Sequence, residues 1–159
     1  LDDRYCLLMR RELSGPLATP LWPEGITVQR YAPHLAGDVH HLMQQGYLDG
    51  GGRVPDLDTW RNAFQSDAEY DPQLCLVALE AGRVIGVAQC WTSAYLKDLV
   101  VDADARGRGL GQALLQQVFV MFAERREAWV DLRVLEDNLP ARRLYDSAGM
   151  HVVRRERVP

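Results

Sequence analysis

The stretch Leu99–Gln112 gathers residue types that could do chemistry. It holds an apolar run, Leu99-Val100-Val101, a polar stop at Asp102, and a turn, Arg106-Gly107-Arg108-Gly109-Leu110-Gly111-Gln112, in which glycine alternates with larger residues. An apolar-periodic segment opening Ala113-Leu114-Leu115 follows directly. Strand, glycine-rich turn and helix start together aim backbone N–H groups at one place, with the positive end of the helix dipole behind them. Glycine removes the Cβ that would stand between backbone and anion, and it accepts positive φ. The stretch reads as a phosphate cradle, and spacing decides for which phosphate. A mononucleotide loop needs Lys-Ser/Thr after its last glycine, and Gln112-Ala113 stands there instead. The dinucleotide pattern G-x-G-x-x-G/A ends on Gln112 counted from Gly107 and on Leu114 counted from Gly109, so it fails too. What fits is R-x-x-G-x-G, filled by Arg106, Gly109 and Gly111.

Such a cradle needs a sheet and helices to hold it. Tyr5–Arg11 alternates in a way that suits a strand, although its apolar residues also permit a helix. Ser14–Pro23, with Gly15, Pro16, Pro20 and Pro23, is a connector. Ile26-Thr27-Val28 begins a strand; Pro33, Leu35, Val39, Leu42 and Met43 mark a helix that Gly46 should end. Tyr47–Pro55 reads as a loop around Gly50-Gly51-Gly52, and Trp60 and Phe64 mark a short helix. Leu74–Leu79 and Val84–Thr92 form a hairpin, Tyr95–Val101 the next strand, and Gln112–Arg126 a long helix. Trp129–Val134 is a half-exposed strand, Pro140–Ala148 a helix stopped by Gly149, and Met150–Val158 a last strand. The helix between Val101 and Trp129 makes those two strands parallel, within a mixed α/β fold carrying helices on both faces of one sheet.

A second motif makes the reading specific. Asn138, Ala141, Leu144, Tyr145 and Gly149 fill N-x-x-A-x-x-L-Y-x-x-x-G-F at every position but the last, where Met150 stands for Phe. Together with Arg106, Gly109 and Gly111 it resembles the GNAT acyltransferase superfamily, over roughly Ile26 to Arg157. Met is a soft apolar filler, so the departure bears on packing more than on chemistry. The resemblance implies a mostly antiparallel sheet with one parallel pair splayed around acetyl-CoA. The cosubstrate's amide-rich arm would lie along Leu99, Val100 and Val101 as an added strand does. Its pyrophosphate would fall on Arg106, Gly107, Arg108, Gly109, Leu110, Gly111 and Gln112, and Asn138 and Arg142 or Arg143 would touch its CoA side.

The resemblance also implies a reaction: an N-acetyltransferase moving an acetyl group from acetyl-CoA to a primary amine of a small molecule or protein. A backbone N–H near Leu99–Val101 would hold the oxyanion, and Tyr145 would serve the leaving sulfur. A thiol near pKa ~8.5 is a stronger acid than a phenol near ~10, so full proton donation is uphill by about 2 kcal/mol and hydrogen bonding is the better role for Tyr145. The base is open. Strand alternation puts Tyr95, Lys97 and Leu99 on one face and Asp98 on the other, a carboxylate in a structural place unless a bulge reverses the facing. A water relay, or an acid from Tyr47–Asp58, serves as well. Two other readings share the fold: a non-catalytic acyl-CoA-binding regulatory module, and an N-acyltransferase using a longer acyl-CoA.

Composition narrows the field. One domain is natural for 159 residues, and a formal net charge of −4 gives no reason to expect nucleic acid or an anionic membrane. No apolar run is long enough to cross a bilayer, and no signal-like leader or metal-spaced Cys/His cluster stands out. Cys6, Cys75 and Cys90 are odd in number and set among apolar neighbours, which suits buried thiols in a reducing, cytoplasmic setting. Residues 1–23 divide from 24–159 as a strand and proline-rich strap ahead of the acyltransferase domain. The family sheet ends in a hairpin, and only about ten residues follow Gly149, room for one strand of the two. Tyr5–Arg11 is therefore expected to fill the empty slot beside Met150–Arg157, in its own chain or exchanged across a homodimer.

Overall fold

The computed structural model describes residues 3–48 and 53–159. Seven strands form one sheet: β1 (Tyr5–Glu12), β2 (Ile26–Arg30), β3 (Cys75–Glu80), β4 (Arg83–Trp91), β5 (Tyr95–Val101), β6 (Trp129–Leu135) and β7 (His151–Arg157). Their spatial order is β2-β3-β4-β5-β6-β1-β7. Every neighbouring pair is antiparallel except β5 and β6. Four helices pack on the sheet: α1 (Ala36–Leu48), α2 (Leu57–Ser66), α3 (Leu110–Glu124) and α4 (Leu139–Ser147). The expected mixed α/β architecture is the one observed.

Two apolar cores lie on opposite faces of the sheet. On one, Val39, Leu42 and Met43 of α1 and Trp60 and Phe64 of α2 pack on Val77, Val87 and Val100. On the other, α3 lays Leu114, Leu115, Val118 and Phe122 over Leu76, Ala88, Leu132 and Met9. Ala141, Leu144 and Tyr145 of α4, with its C-cap Ala148, close that layer at helical spacing.

The first strand lies beside the last, where it was expected. β1 runs between β6 and β7, antiparallel to both, with Leu7 opposite Val134 and Met9 opposite Leu132 on one side and Cys6 opposite Glu156 on the other. The slot is filled within the chain. The strap beyond β1 packs Leu17 and Trp22 against the α3-side core on its way to β2 at the far edge.

Gly46 does not end α1, which continues to Leu48 and carries Tyr47 in its last turn. A Cβ at Gly46 would stand 2.4 Å from Cγ1 of Val100, so this glycine lets α1 approach β5 closely. It is a packing glycine inside the helix. The Gly50-Gly51-Gly52 run expected as a loop lies outside the described residues.

Leu7, Leu8 and Met9 are each at most 4% exposed, and burying three such side chains is worth about 5–9 kcal/mol. That is comparable to the whole stability of a typical domain. Removing residues 1–13 should therefore abolish cooperative melting or drive aggregation, as thermal denaturation followed by circular dichroism will show; an unchanged melting curve would make β1 dispensable.

Candidate active site

The site is built where β5 and β6 part. Their ladder registers only Tyr95 with Asp131, near the N-terminal ends of both strands. Beyond that pair the strands diverge, so β6-facing backbone groups of Leu99–Val101 have no strand to bond. The wedge opens toward the C-terminal end of β5, where the glycine turn follows. Val101 and Leu99 flank it on the α3 side, with Leu144 and Tyr145 of α4 against the same core.

Asp102 caps the short 3-10 turn Ala103–Ala105, its side chain accepting from Asp104 N at 2.9 Å. Gly107 and Gly109 then adopt φ of 78° and 84°, the left-handed region that favours glycine. A Cβ at either would meet nothing within 4 Å, so both open onto free space. Gly109 is the N-cap of α3, and Leu110, Gly111 and Gln112 form its first turn, whose N–H groups have no partner within the helix. Gly111 keeps ordinary helical φ; a Cβ there would stand 3.5 Å from Leu144 and 3.7 Å from Val101, so it sits at the α3–α4 contact. The residues fit an extended, anionic ligand: a strand edge, then a concave set of N–H groups with no side chain in front.

The charged residues around the cradle divide. Arg108 pairs with Glu80 at 2.7 and 3.2 Å and reaches Glu24 O, which ties the turn to the β3–β4 hairpin. Arg83 pairs with Asp102 at 2.8 Å on the same side. Arg106 is exposed and borders a cleft of about 320 Å³ with His41, Gln45, Val101 and Asp102. The Asn138 side chain caps α4 by accepting from Ala141 N at 3.3 Å, and Arg142 donates to Glu136 O at 2.8 Å. Those two polar groups of the second motif thus have local structural work; Arg143 is exposed on the same helix.

Strand β5 holds the main departure from the alternation read in the sequence. Gln89 faces Asp98 and Cys90 faces Leu96, so Lys97 is an extra residue that β4 does not match. This bulge breaks the alternation. Tyr95, Asp98 and Val100 share the α1 face with Trp91, Gln89 and Val87, whereas Leu96, Leu99 and Val101 face α3. Tyr95, Lys97 and Leu99 therefore do not line one face, and Asp98 stands with Tyr95. The Tyr47 hydroxyl, brought by the last turn of α1, donates to the Asp98 carboxylate. Lys97 Nζ lies 4.0 Å from the same carboxylate, and Trp91 stacks on Tyr95 with ring centroids 5.2 Å apart.

Burial pushes the Tyr145 phenol up to about 12, and the nearby Tyr95 adds to the shift. Tyr47 is pushed up more strongly, by burial first and then by the Asp98 charge. Both phenols keep their proton at neutral pH and have it to donate. Cys75, beneath this cluster, is pushed up to about 12 by burial, and with Cys90 it is a buried free thiol; Cys6 is free and half-buried. His40 is buried with Nε2 2.7 Å from Pro55 O, and no group of three metal-ligating side chains occurs among the described residues. None of their helices is long and apolar enough to cross a membrane.

Comparison with known proteins agrees with this geometry. Residues 38–150 match the acetyltransferase (GNAT) family, and the chain belongs to that family. The mycothiol acetyltransferase of Thermomonospora curvata is 30% identical over 92% of this chain and 51% of its own length. That of Thermobispora bispora is 28% identical over 89% and 52%. A solved GCN5-related N-acetyltransferase from Sphaerobacter thermophilus superposes with a TM-score of 0.85 at 31% identity, covering 98% of this chain and 50% of that one. The chain spans about half the length of the curated relatives it matches.

The Tyr145 shift has a measurable consequence. A phenol raised above its ordinary value of about 10 contributes stability that is complete below that value and is lost as pH rises toward about 12. Tyr145→Phe should therefore lose less melting temperature than wild type between pH 10 and 12, read by thermal denaturation across that range; parallel losses would contradict the burial of this phenol.

Proposed function

We propose that the chain is an acetyl-CoA-dependent N-acetyltransferase domain acting on a primary amine, with a small-molecule acceptor. The observation that carries this reading is the wedge between β5 and β6 ending on the glycine turn at the start of α3. An arm rich in amides is satisfied by a strand edge, and a pyrophosphate by several N–H groups at a helix N-terminus. Acetyl-CoA supplies both, and the activated acetyl group with them. In this reading Leu99, Val100 and Val101 hold the arm through their backbone, and Arg106–Gln112 hold the pyrophosphate. The two left-handed glycines shape that cradle, while Arg108, held by Glu80, contributes position more than charge.

Tyr145 projects from α4 among groups that line the wedge, and its raised pKa suits a hydrogen-bond donor to the departing sulfur rather than a full acid. Backbone N–H groups near Leu99–Val101 are the donors for charge developing on the acetyl oxygen. The acceptor is read from the α1–α2 side, where loops without portable motifs set specificity. The relatives named mycothiol acetyltransferase support a small molecule as the acceptor. A cytoplasmic setting suits the buried free thiols Cys75 and Cys90.

Binding and turnover test this separately. Acetyl-CoA should raise the melting temperature of wild type, and Gly109→Glu, which places a carboxylate in the open space before the cradle, should erase that rise in a folded variant; an undiminished rise would contradict the site. CoA release against a panel of amino acids, amino sugars, polyamines and short peptides should find an acceptor. With it, Tyr145→Phe should lower kcat by about tenfold or more while acetyl-CoA affinity stays unchanged. Unchanged turnover under chemistry-limited conditions would leave Tyr145 a packing residue. A chain that binds acetyl-CoA but acetylates nothing would favour the non-catalytic acyl-CoA-binding module.

A further inference from the structure

The bulge at Lys97 puts a carboxylate on the α1 face of β5, close to where the two strands part. The Asp98 side chain is only 12% exposed, yet its nearest cationic neighbour, Lys97, stands off at 4.0 Å and is itself 42% exposed. A charge so little exposed is costly unless hydrogen-bonded or paired. Among the described residues its close side-chain partner is the Tyr47 hydroxyl, which satisfies part of one oxygen and leaves acceptor capacity over. Directly across the ladder is Gln89, buried to 4%, whose side-chain oxygen has no donor among the described residues. Lys97 Nζ lies 5.7 Å from the Trp91 ring centroid, so an ammonium already finds both an aromatic face and a carboxylate here. A carboxylate with spare acceptor capacity beside the stacked Trp91–Tyr95 pair, next to the divergent strands, makes a seat for an amino group.

Resting on the acetyltransferase reading, we infer that Asp98 receives the acceptor's ammonium and takes a proton from its nitrogen, with Tyr47 as the positioning residue that holds the carboxylate at the wedge. The ammonium is bound by the Asp98 carboxylate over the Trp91–Tyr95 pair. As the C–N bond to the acetyl carbon forms, the C–S bond of the thioester breaks and the sulfur leaves with its electron pair. The nitrogen loses two protons in all: one ends on the CoA sulfur, and the other passes through Asp98 to water. The acceptor class that follows is an amine protonated at neutral pH, with apolar or planar surface next to the nitrogen to lie on the aromatic wall. Tyr47 keeps its proton throughout and only donates, so its role is to fix the carboxylate rather than to move charge.

Asp98→Asn tests this, because the amide keeps shape and an oxygen for Tyr47 while losing the charge. Two nucleophiles are compared with saturating acetyl-CoA: the most active ammonium-type amine of the panel, and hydroxylamine, which is already neutral at pH 7. The variant should lose about 30-fold or more in kcat/KM toward the first. Toward hydroxylamine the loss should be at least tenfold smaller, and its acetyl-CoA-induced rise in melting temperature should match wild type. Equal losses with both nucleophiles, or no loss with the first, would overturn the assignment. If Asp98→Asn does not melt cooperatively, Tyr47→Phe carries the same comparison: it should raise KM for the ammonium-type amine by about tenfold and spare hydroxylamine. Equal or absent effects would again overturn it. A wild-type protein inactive toward every amine, hydroxylamine included, would contradict the acetyltransferase reading itself, whereas an active wild type matched by Asp98→Asn would remove only Asp98.

Discussion

The structure depends on two parallel strands that pair at one end only. β5 and β6 meet at Tyr95 and Asp131 and then part, which leaves backbone donors and acceptors facing a gap inside a sheet. Sheets avoid such gaps because each polar group left without a partner costs stability. This one is held open by what lies around it. β1 pairs along the whole of β6 and gives it a full neighbour on its other side. The antiparallel β4 does the same for β5. Across the gap, α3 and α4 are packed into the same core as Leu99 and Val101 from one strand and Leu132 and Val134 from the other. The gap is thus a rigid feature, and α3 begins at its wide end.

A single unmatched residue sets the chemistry of the other side. Without the bulge at Lys97, Asp98 would turn toward α3 and its apolar core, where a carboxylate has no water and no donor. With it, Asp98 stands beside Tyr95 and meets Tyr47, which reaches it because Gly46 lets α1 lie close on Val100. Backbone irregularity, a packing glycine and a phenol act together to present one charge. Arg108 and Arg83 work on the glycine turn in a comparable way, as exposed pairs that fix position more than they add stability.

The elements that carry periodicity were legible in the chain. Apolar spacing marked α3, the hairpin of β3 and β4 showed as two β-rich runs around Ala81-Gly82, and β1 was placed by the unfilled slot. The left-handed turn was legible because glycines alternate there, and Gly107 and Gly109 take the positive φ. The facing of β5 was not, because no residue type announces a bulge and Lys97 reads like any exposed strand residue. Gly46 was misread for a related reason: glycine ends helices and also admits close packing, and only the 2.4 Å approach to Val100 tells the two apart. Asn138 and Arg142 fit a ligand-binding pattern by type, but their bonds to Ala141 N and Glu136 O show work that the motif alone does not reveal.

The central claim is that the gap between β5 and β6 is where acetyl-CoA lies. Amide hydrogen exchange of the whole chain, measured with and without saturating acetyl-CoA, tests it directly. The account predicts slowed exchange confined to Leu99–Val101 and Arg106–Gln112, since the arm would take the place of the missing strand and the pyrophosphate would cover the helix start. Binding that leaves both segments exchanging as in the free protein, while protecting amides elsewhere, would contradict it.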